Sequence, residues 1–289
     1  AAGGVVYCGS DKGILYALDA QTGKTAWLFE AGGPIQASPA VVGGLVVFGA
    51  NDHNFYALDR RTGRKLWNFR TSGFCIQAPP VVRGDRVFAA GWADWVWCLD
   101  LKSGKPLWRS FIPVSIEAVS CYRDRLWIRS PYYVVELDPT KGTWLQIADA
   151  SYGYGGMAFV GDRLFQSGVL GQYGTDGATS ISLDAKGGPP PESMLPTLEG
   201  VSILKPQLLE GAPELASMAA PLALGDKLCF GTLHGEVVLT GLDGTRLWKC
   251  GLGAPCHAPP AAADGLLVVG CDDGNVYAFR EQNPSKKTP

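Results

Sequence analysis

Apolar and polar positions alternate in short blocks along most of the chain. Residues 36–70 illustrate the block, with apolar runs broken by Gly43-Gly44, by Asp52-His53-Asn54 and by Thr62-Gly63. Runs of four to eight residues rich in Val, Phe, Tyr and Trp between such clusters predict short strands. The expected strands are Ala37–Val42, Leu45–Gly49, Asn54–Asp59 and Lys65–Arg70. The runs are nearly continuous rather than strictly alternating, as expected of strands covered on both faces. No run approaches the length of a membrane-spanning helix.

The block repeats with a period of about 40 residues. YALDAQTGKTAW (16–27), YALDRRTGRKLW (56–67) and WCLDLKSGKPLW (97–108) share Asp, Gly and Trp at four-residue spacing. VELDPTKGTW (135–144) brings its Trp two residues closer, and LTGLDGTRLW (239–248) keeps Gly244 and Trp248 with Thr240 at the Asp position. Seven repeats can be aligned. Four short antiparallel strands repeated in this way predict an all-β chain folded as a β-propeller of four-stranded antiparallel blades. The first repeat supplies strands two to four and the last supplies strands one to three, so most of an eight-bladed ring is the alternative. A single propeller domain over 1–281 is expected, with an irregular Pro-rich insertion at about 186–217 and a polar tail at 282–289.

Composition sharpens this picture. Of 289 residues, 38 are Gly and 20 are Pro, and only 18% are charged, which excludes a long-helix or coiled-coil protein. The net charge of −2 and the lack of extended basic clusters exclude an electrostatic footprint for nucleic acid. The eight cysteines contain no Cys-x-x-Cys pair, and Cys250 with Cys256-His257 fits neither haem nor zinc spacing. Cys8, Cys98, Cys250 and Cys256 occupy places where other repeats carry apolar strand residues, so most cysteines read as buried thiols, with one or two bridges left open. His53, His234 and His257 fall in turns or strand lead-ins of repeats two, six and seven, the first far from the other two, and the hairpin Asp272-Asp273-Gly274 lacks a calcium-loop pattern. No metal site is expected.

The Asp-x-x-x-Gly-x-x-x-Trp pattern, preceded by SPAV and VFG strands, resembles the pyrroloquinoline-quinone-like propeller repeat with its tryptophan-docking motif. That family includes quinoprotein dehydrogenases, and the chain is similar in kind to the outer-membrane assembly lipoprotein B and other non-catalytic members. The resemblance assigns structural docking to Asp19, Gly23 and Trp27, to Asp59, Gly63 and Trp67, to Asp100, Gly104 and Trp108, and to Trp248. It also implies a periplasmic or otherwise extracytoplasmic location, although residues 1 onward carry no signal-peptide pattern.

Two sets of residues are candidates for binding. Gln36, Gln77, Glu117, Tyr154 and His257 stand at matching lead-ins of successive innermost strands, where a propeller has its channel mouth. They form a ligand funnel or simply solvate the channel. Trp92, Trp95, Tyr132 and Tyr133 make an aromatic arc over the third and fourth repeats, either a contact surface or packing beneath the insertion. The function expected is a non-enzymatic scaffold that holds a protein or peptide partner on this face, with no catalytic residue and no cofactor. The alternative is a quinone-dependent dehydrogenase oxidising an alcohol or sugar, with pyrroloquinoline quinone and calcium. Glu117 is the sole carboxylate of the funnel set, and the chain has no adjacent cysteine pair such as the methanol-type dehydrogenases typically carry.

Overall fold

The computed structural model describes residues 2–71, 78–91, 95–113, 115–149, 156–168, 177–183, 201–204, 207–209, 215, 217, 219–263 and 265–280. The fold is all-β, a β-propeller of seven antiparallel sheets, with no α-helix among the described residues. The first sheet is Val5–Gly9, Ile14–Asp19 and Thr25–Glu30. The second is Ala40–Val42, Leu45–Ala50, Asn54–Asp59 and Lys65–Arg70. The third is Val81–Arg83, Arg86–Ala90, Trp95–Asp100 and Pro106–Phe111. The fourth runs through Ala118–Tyr122, Arg125–Arg129, Tyr133–Leu137 and Trp144–Asp149, with the short strand Ser202–Leu204 as a fifth member beside the last. The fifth joins Met157–Val160, Arg163–Gly168 and Gly177–Ser182 to the short strand Gln207–Leu208. The sixth is Leu222–Leu224, Lys227–Gly231, Glu236–Gly241 and Arg246–Gly251, and the seventh is Ala261–Ala263, Leu266–Gly270 and Val276–Arg280. The chain divides into two compact units, Ala1–Ile147 with Glu192–Val201 and Ala148–Pro191 with Ser202–Pro289.

In the second sheet the first strand starts at Ala40, three residues later than the apolar run suggests. Pro39 has no N–H to give to a ladder, so regular pairing begins after it. Within the Pro-rich insertion, Ser202–Leu204 joins the fourth sheet and Gln207–Leu208 the fifth, while most of the insertion lies outside the described residues, as does the polar tail.

Within each compact unit, apolar faces of successive sheets meet. Tyr7, Leu15 and Ala17 of the first sheet pack with Val46, Phe48, Ala50, Tyr56 and Leu58 of the second. The opposite face of the second sheet, with Val47, Phe55, Ala57 and Trp67, packs with Val87, Ala89 and Leu99 of the third. Val46, Val47 and Phe48 are therefore all fully buried although they are consecutive, which is why the strand reads as an unbroken apolar run. In the other unit, Phe165 and Ala178 share a core with Leu228, Phe230 and Val238, while Cys229 and Val237 meet Cys256 and Val269.

A polar and steric contact accompanies these cores at the outer strands of the first three sheets. The indole N–H of Trp27 donates to the Arg60 carbonyl at 3.0 Å, that of Trp67 to Leu101 at 2.9 Å, and that of Trp108 to Pro139 at 3.2 Å. Each acceptor follows an Asp that opens a turn in the next sheet. In that turn the Asp59 carboxylate accepts from the Arg61 and Thr62 amides and from the Thr62 hydroxyl, bonds that hold its pKa below the ordinary value. Asp19, Asp100 and Asp138 do the same in their own turns. The turn glycine lies under the incoming ring. A Cβ on Gly63 would come within 2.7 Å of Trp27, one on Gly104 within 2.6 Å of Trp67, and one on Gly142 within 2.5 Å of Trp108. These three glycines have φ of +72°, +68° and +72°, so both the backbone and the neighbouring ring demand the absence of a side chain.

The sixth sheet departs from the expected alignment. Its register pairs Thr240 with Arg246, one residue closer in sequence than Leu58 with Lys65 in the second sheet. Thr240 is thus a buried strand residue at the Leu58 position, and Gly241 stands where the turn Asp would be. Asp243 caps this shortened turn instead, accepting from the Thr245 amide at 2.9 Å and the Thr245 hydroxyl at 2.8 Å. Trp248 is exposed and its ring lies 5.3 Å from that of Phe279.

The glycine contacts lead to a direct comparison. Gly104→Ala should cost about 3 kcal/mol in denaturant unfolding, combining left-handed backbone strain with a clash against Trp67. Gly23→Ala, at φ +68° with nothing within 4 Å of its Cβ, should cost only about 1 kcal/mol. Trp67→Ala should cost about 3–5 kcal/mol, as for truncation of a buried aromatic.

Candidate functional site

The strand lead-ins run beside the hairpins that follow the second strands. The Asn51 amide donates to the Pro34 carbonyl at 2.8 Å and the Asp272 amide to the Pro255 carbonyl at 3.0 Å, which brings residue 36 near 51 and residue 257 near 272. The side chains at those positions touch. Asn51 Nδ2 donates to Gln36 Oε1 at 3.0 Å, and Gln36 Nε2 lies 3.5 Å from Asp11 Oδ1 of the first sheet. His257 Nδ1 lies 2.7 Å from Asp272 Oδ2, with both side chains about half exposed. In the fourth sheet Glu117 meets a residue of the second strand itself, with Arg129 Nε 3.8 Å from Glu117 Oε2, so the register sets it one position further along than Gln36. Each described lead-in residue is thus bound to a side chain of the same sheet's second strand or the hairpin after it. Gln77 and Tyr154 lie outside the described residues.

Glu117 and Arg129 differ from the other pairs in burial. The Glu117 side chain is 6% exposed and that of Arg129 is fully buried. Neither carboxylate oxygen of Glu117 has a hydrogen-bond partner among the described residues, although its backbone amide donates to the Arg129 carbonyl at 2.9 Å. Burial pushes the Glu117 carboxyl up to about 7 against the opposing pull of Arg129, and burial lowers Arg129 to about 10 against the pull of Glu117. Nearby on the fourth sheet, Glu136 is also buried and shifted upward by burial, with Arg125 at 3.5 Å opposing the shift.

The hairpin acids are committed locally. Asp52 accepts from the Gly32 amide at 2.8 Å, the Asn54 amide at 3.0 Å and the Tyr56 hydroxyl. Asp273 repeats the pattern with the Asn275 amide and the Tyr277 hydroxyl, bonds that bring its carboxyl down to about 2. His53 sits at φ +71° in the hairpin position that Gly13, Gly235 and Gly274 take in other repeats. Among the described residues no group of three His, Cys, Asp or Glu side chains is arranged to hold a metal ion.

Of the aromatic residues, Trp92 lies outside the described set, and Trp95 belongs to a cluster larger than the sequence suggested. Cross-strand pairing of Trp95 with Phe111 and of Trp97 with Arg109 places all four on one face of the third sheet. The Arg109 guanidinium stands 4.3 Å from the Trp95 ring centre and 5.4 Å from that of Trp97. Phe111 lies 5.2 Å from Trp95 and is 47% exposed. A cation over two indole faces beside an exposed phenyl ring offers flat apolar area with a fixed positive charge. Arg109 and Phe111 lacked any sequence flag of their own. Their signal is positional, one and three residues beyond Trp108, where the hairpin register carries them opposite Trp97 and Trp95. In the fourth sheet Tyr132 is exposed and Tyr133 half-buried, with rings 6.3 Å apart, on a hairpin where Ser130 Oγ accepts from the Tyr133 amide at 2.9 Å. A shallow cavity of about 400 Å³ also lies in the first unit, between Tyr7 and Trp27 on one side and Asp59, Arg60 and Arg61 on the other.

Comparison with known proteins accords with this geometry. Residues 1–115, covering the first three sheets, match the family described as outer membrane protein assembly factor BamB, a PQQ-like repeat family. A stretch of 63 residues, 22% of the chain, is 36% identical to outer membrane protein assembly factor BamB of Burkholderia pseudomallei and spans 16% of that protein. Among solved structures, BamB of Moraxella catarrhalis superposes with a TM-score of 0.75 over 98% of the chain and 81% of BamB, at 17% identity. The computationally designed protein Ika8 matches equally well in fold, with a TM-score of 0.75 and 17% identity over 97% of the chain and 82% of its own. Residues 1–115 are thus similar to the BamB family, and the two solved structures, both at 17% identity, match the chain in its propeller fold.

The raised Glu117 carboxyl sets a pH dependence of known sign. Between about pH 4.5 and 7 the folded chain keeps a proton on Glu117 that the unfolded chain has released, so stability falls as pH rises through that window. Glu136 acts in the same direction. Thermal melts of Glu117→Gln should show a flatter decline across this window than the parent, the remainder belonging to Glu136.

Proposed function

We propose that this BamB-like propeller is a non-enzymatic scaffold that holds a protein or peptide partner, with the Trp95, Trp97, Arg109 and Phe111 cluster as part of its contact surface. The observation that carries the proposal is the exposed Arg109 and Phe111 on the third sheet, set against the half-buried rings of Trp95 and Trp97. Trp and Arg are the residues that most often dominate protein interfaces, and the partner chemistry that fits is an apolar or aromatic side chain flanked by a carboxylate. The relatives are outer membrane protein assembly factors by name, which supports a partner in outer-membrane assembly and an extracytoplasmic location. Gln36 and His257, exposed and joined to their own hairpins, offer further polar contacts on their sheets.

Quinone-dependent oxidation is the second reading, and it rests on the repeat family rather than on a donor set among the described residues. A photo-reactive residue at Phe111 should cross-link one partner in the native cell envelope, whereas the same residue at Thr22 should not. Trp95→Ala and Arg109→Ala should each weaken that partner's binding about 30-fold, as for interface hot spots, with the thermal midpoint nearly unchanged. Saturable binding of pyrroloquinoline quinone with calcium, accompanied by dye-linked alcohol or sugar oxidation, would overturn the scaffold assignment.

A further inference from the structure

The seventh sheet carries a pair of thiols that neither the repeat nor the proposed contact surface requires. Cys256 leads into its first strand and Cys271 directly follows its second, Leu266–Gly270. The backbone sets the two side by side, because the Asp272 amide donates to the Pro255 carbonyl at 3.0 Å. Both sulfurs converge on a single acceptor, the Ala254 carbonyl, with Cys271 Sγ at 3.2 Å and Cys256 Sγ at 4.0 Å. Both thiols also lie in one apolar cluster, with Cys271 packed against the core that holds Cys256. In the second sheet the same two positions hold Ile35 and Ala50, so the repeat needs only apolar filling here. Two cysteines replace both halves of one packed contact.

The surroundings give the two sulfurs different roles. Cys256 is fully buried, and its Cβ fills the space left by Gly231, where an added Cβ would stand 2.9 Å away. Cys271 is partly exposed at the hairpin. Burial, reinforced by Cys271, Asp272 and Asp273, pushes the Cys256 thiol up to about 11, which leaves Cys271 as the thiol that meets an oxidant first. Cys229 is also buried nearby, but it sits on the ladder of the sixth sheet, opposite Leu239 and Leu222.

We propose that Cys256 and Cys271 form a dithiol that closes to a disulfide by exchange with oxidised glutathione or another small disulfide, joining the lead-in of the seventh sheet's first strand to the end of its second. The Cys271 sulfur attacks one sulfur of the glutathione disulfide, and the departing glutathione sulfur takes up the thiol proton. The Cys256 sulfur then attacks Cys271 in the mixed disulfide, and the second glutathione leaves with the Cys256 proton. Two protein thiols are oxidised and one glutathione disulfide is reduced to two thiols. The bridge lowers the freedom of the unfolded chain and fixes the hairpin that presents His257 and Asp272.

The test is differential alkylation of the full chain after incubation with oxidised or reduced glutathione at mildly alkaline pH. Trypsin leaves Cys250, Cys256 and Cys271 in one peptide, 250–280, so fragment spectra and variants assign the pair. Oxidation should lower that peptide's mass by about 2 Da, protect Cys256 and Cys271 from alkylation, leave Cys250 reactive, and reverse with dithiothreitol. The thermal midpoint of the oxidised chain should exceed that of the reduced chain by roughly 5 °C. Cys250→Ser should keep both changes, and Cys271→Ser and Cys256→Ala should each abolish them. Continued alkylation of Cys256 and Cys271, or a bridge that persists in Cys271→Ser through Cys250 or Cys229, would overturn the assignment.

Discussion

The contact between an outer-strand indole and the turn of the next sheet organises the best-described part of the molecule. An all-β repeat leaves each sheet with two apolar faces and an outer edge, and the faces alone would tolerate sliding of one sheet over the next. Trp27, Trp67 and Trp108 remove that freedom by giving a directional hydrogen bond to one carbonyl and a flat ring to one glycine. The acceptor carbonyl is in place because an Asp side chain has already shaped its turn with bonds to two amides and a hydroxyl. Three residue types spaced four apart thus set both the turn within a sheet and its registration on the preceding one.

Once registration is fixed, other positions become free to vary. The lead-in residue and its hairpin partner are an amide pair in the second sheet and a histidine with an aspartate in the seventh, whereas in the fourth an acid meets an arginine of the second strand. The polar chemistry of these lead-ins is thus written by substitution on a repeated frame. The Trp95, Trp97, Arg109 and Phe111 cluster arises in the same way, from side chains on two paired strands where other sheets carry different residues. Function in such a fold resides in these departures from the repeat, and the repeat itself says little about chemistry.

Much of the architecture was legible from spacing. The second sheet's strands fall where the apolar runs end at Gly43-Gly44, Asp52 to Asn54 and Thr62-Gly63, because these turns need residues that accept positive φ or cap amides locally. The sixth sheet was misaligned by a residue, since Thr240, Gly241 and Asp243 all lie close to the turn and only the ladder shows that Thr240 pairs with Arg246. The site was less legible. Gln36, Glu117 and His257 were visible as polar residues at matching positions, but a string of residues does not tell an exposed Gln36 from a Glu117 that is 6% exposed.

By itself the sequence determined the all-β class, the repeat and the turn residues, because period, propensity and φ requirements are local properties that neighbouring residues carry with them. Only the tertiary structure decided that Arg109 stands over Trp95, that burial lifts the Glu117 carboxyl, and that Cys256 lies against Cys271. Each of these depends on which strands pair and how deeply a side chain is enclosed, distances set by contacts between residues far apart in the chain.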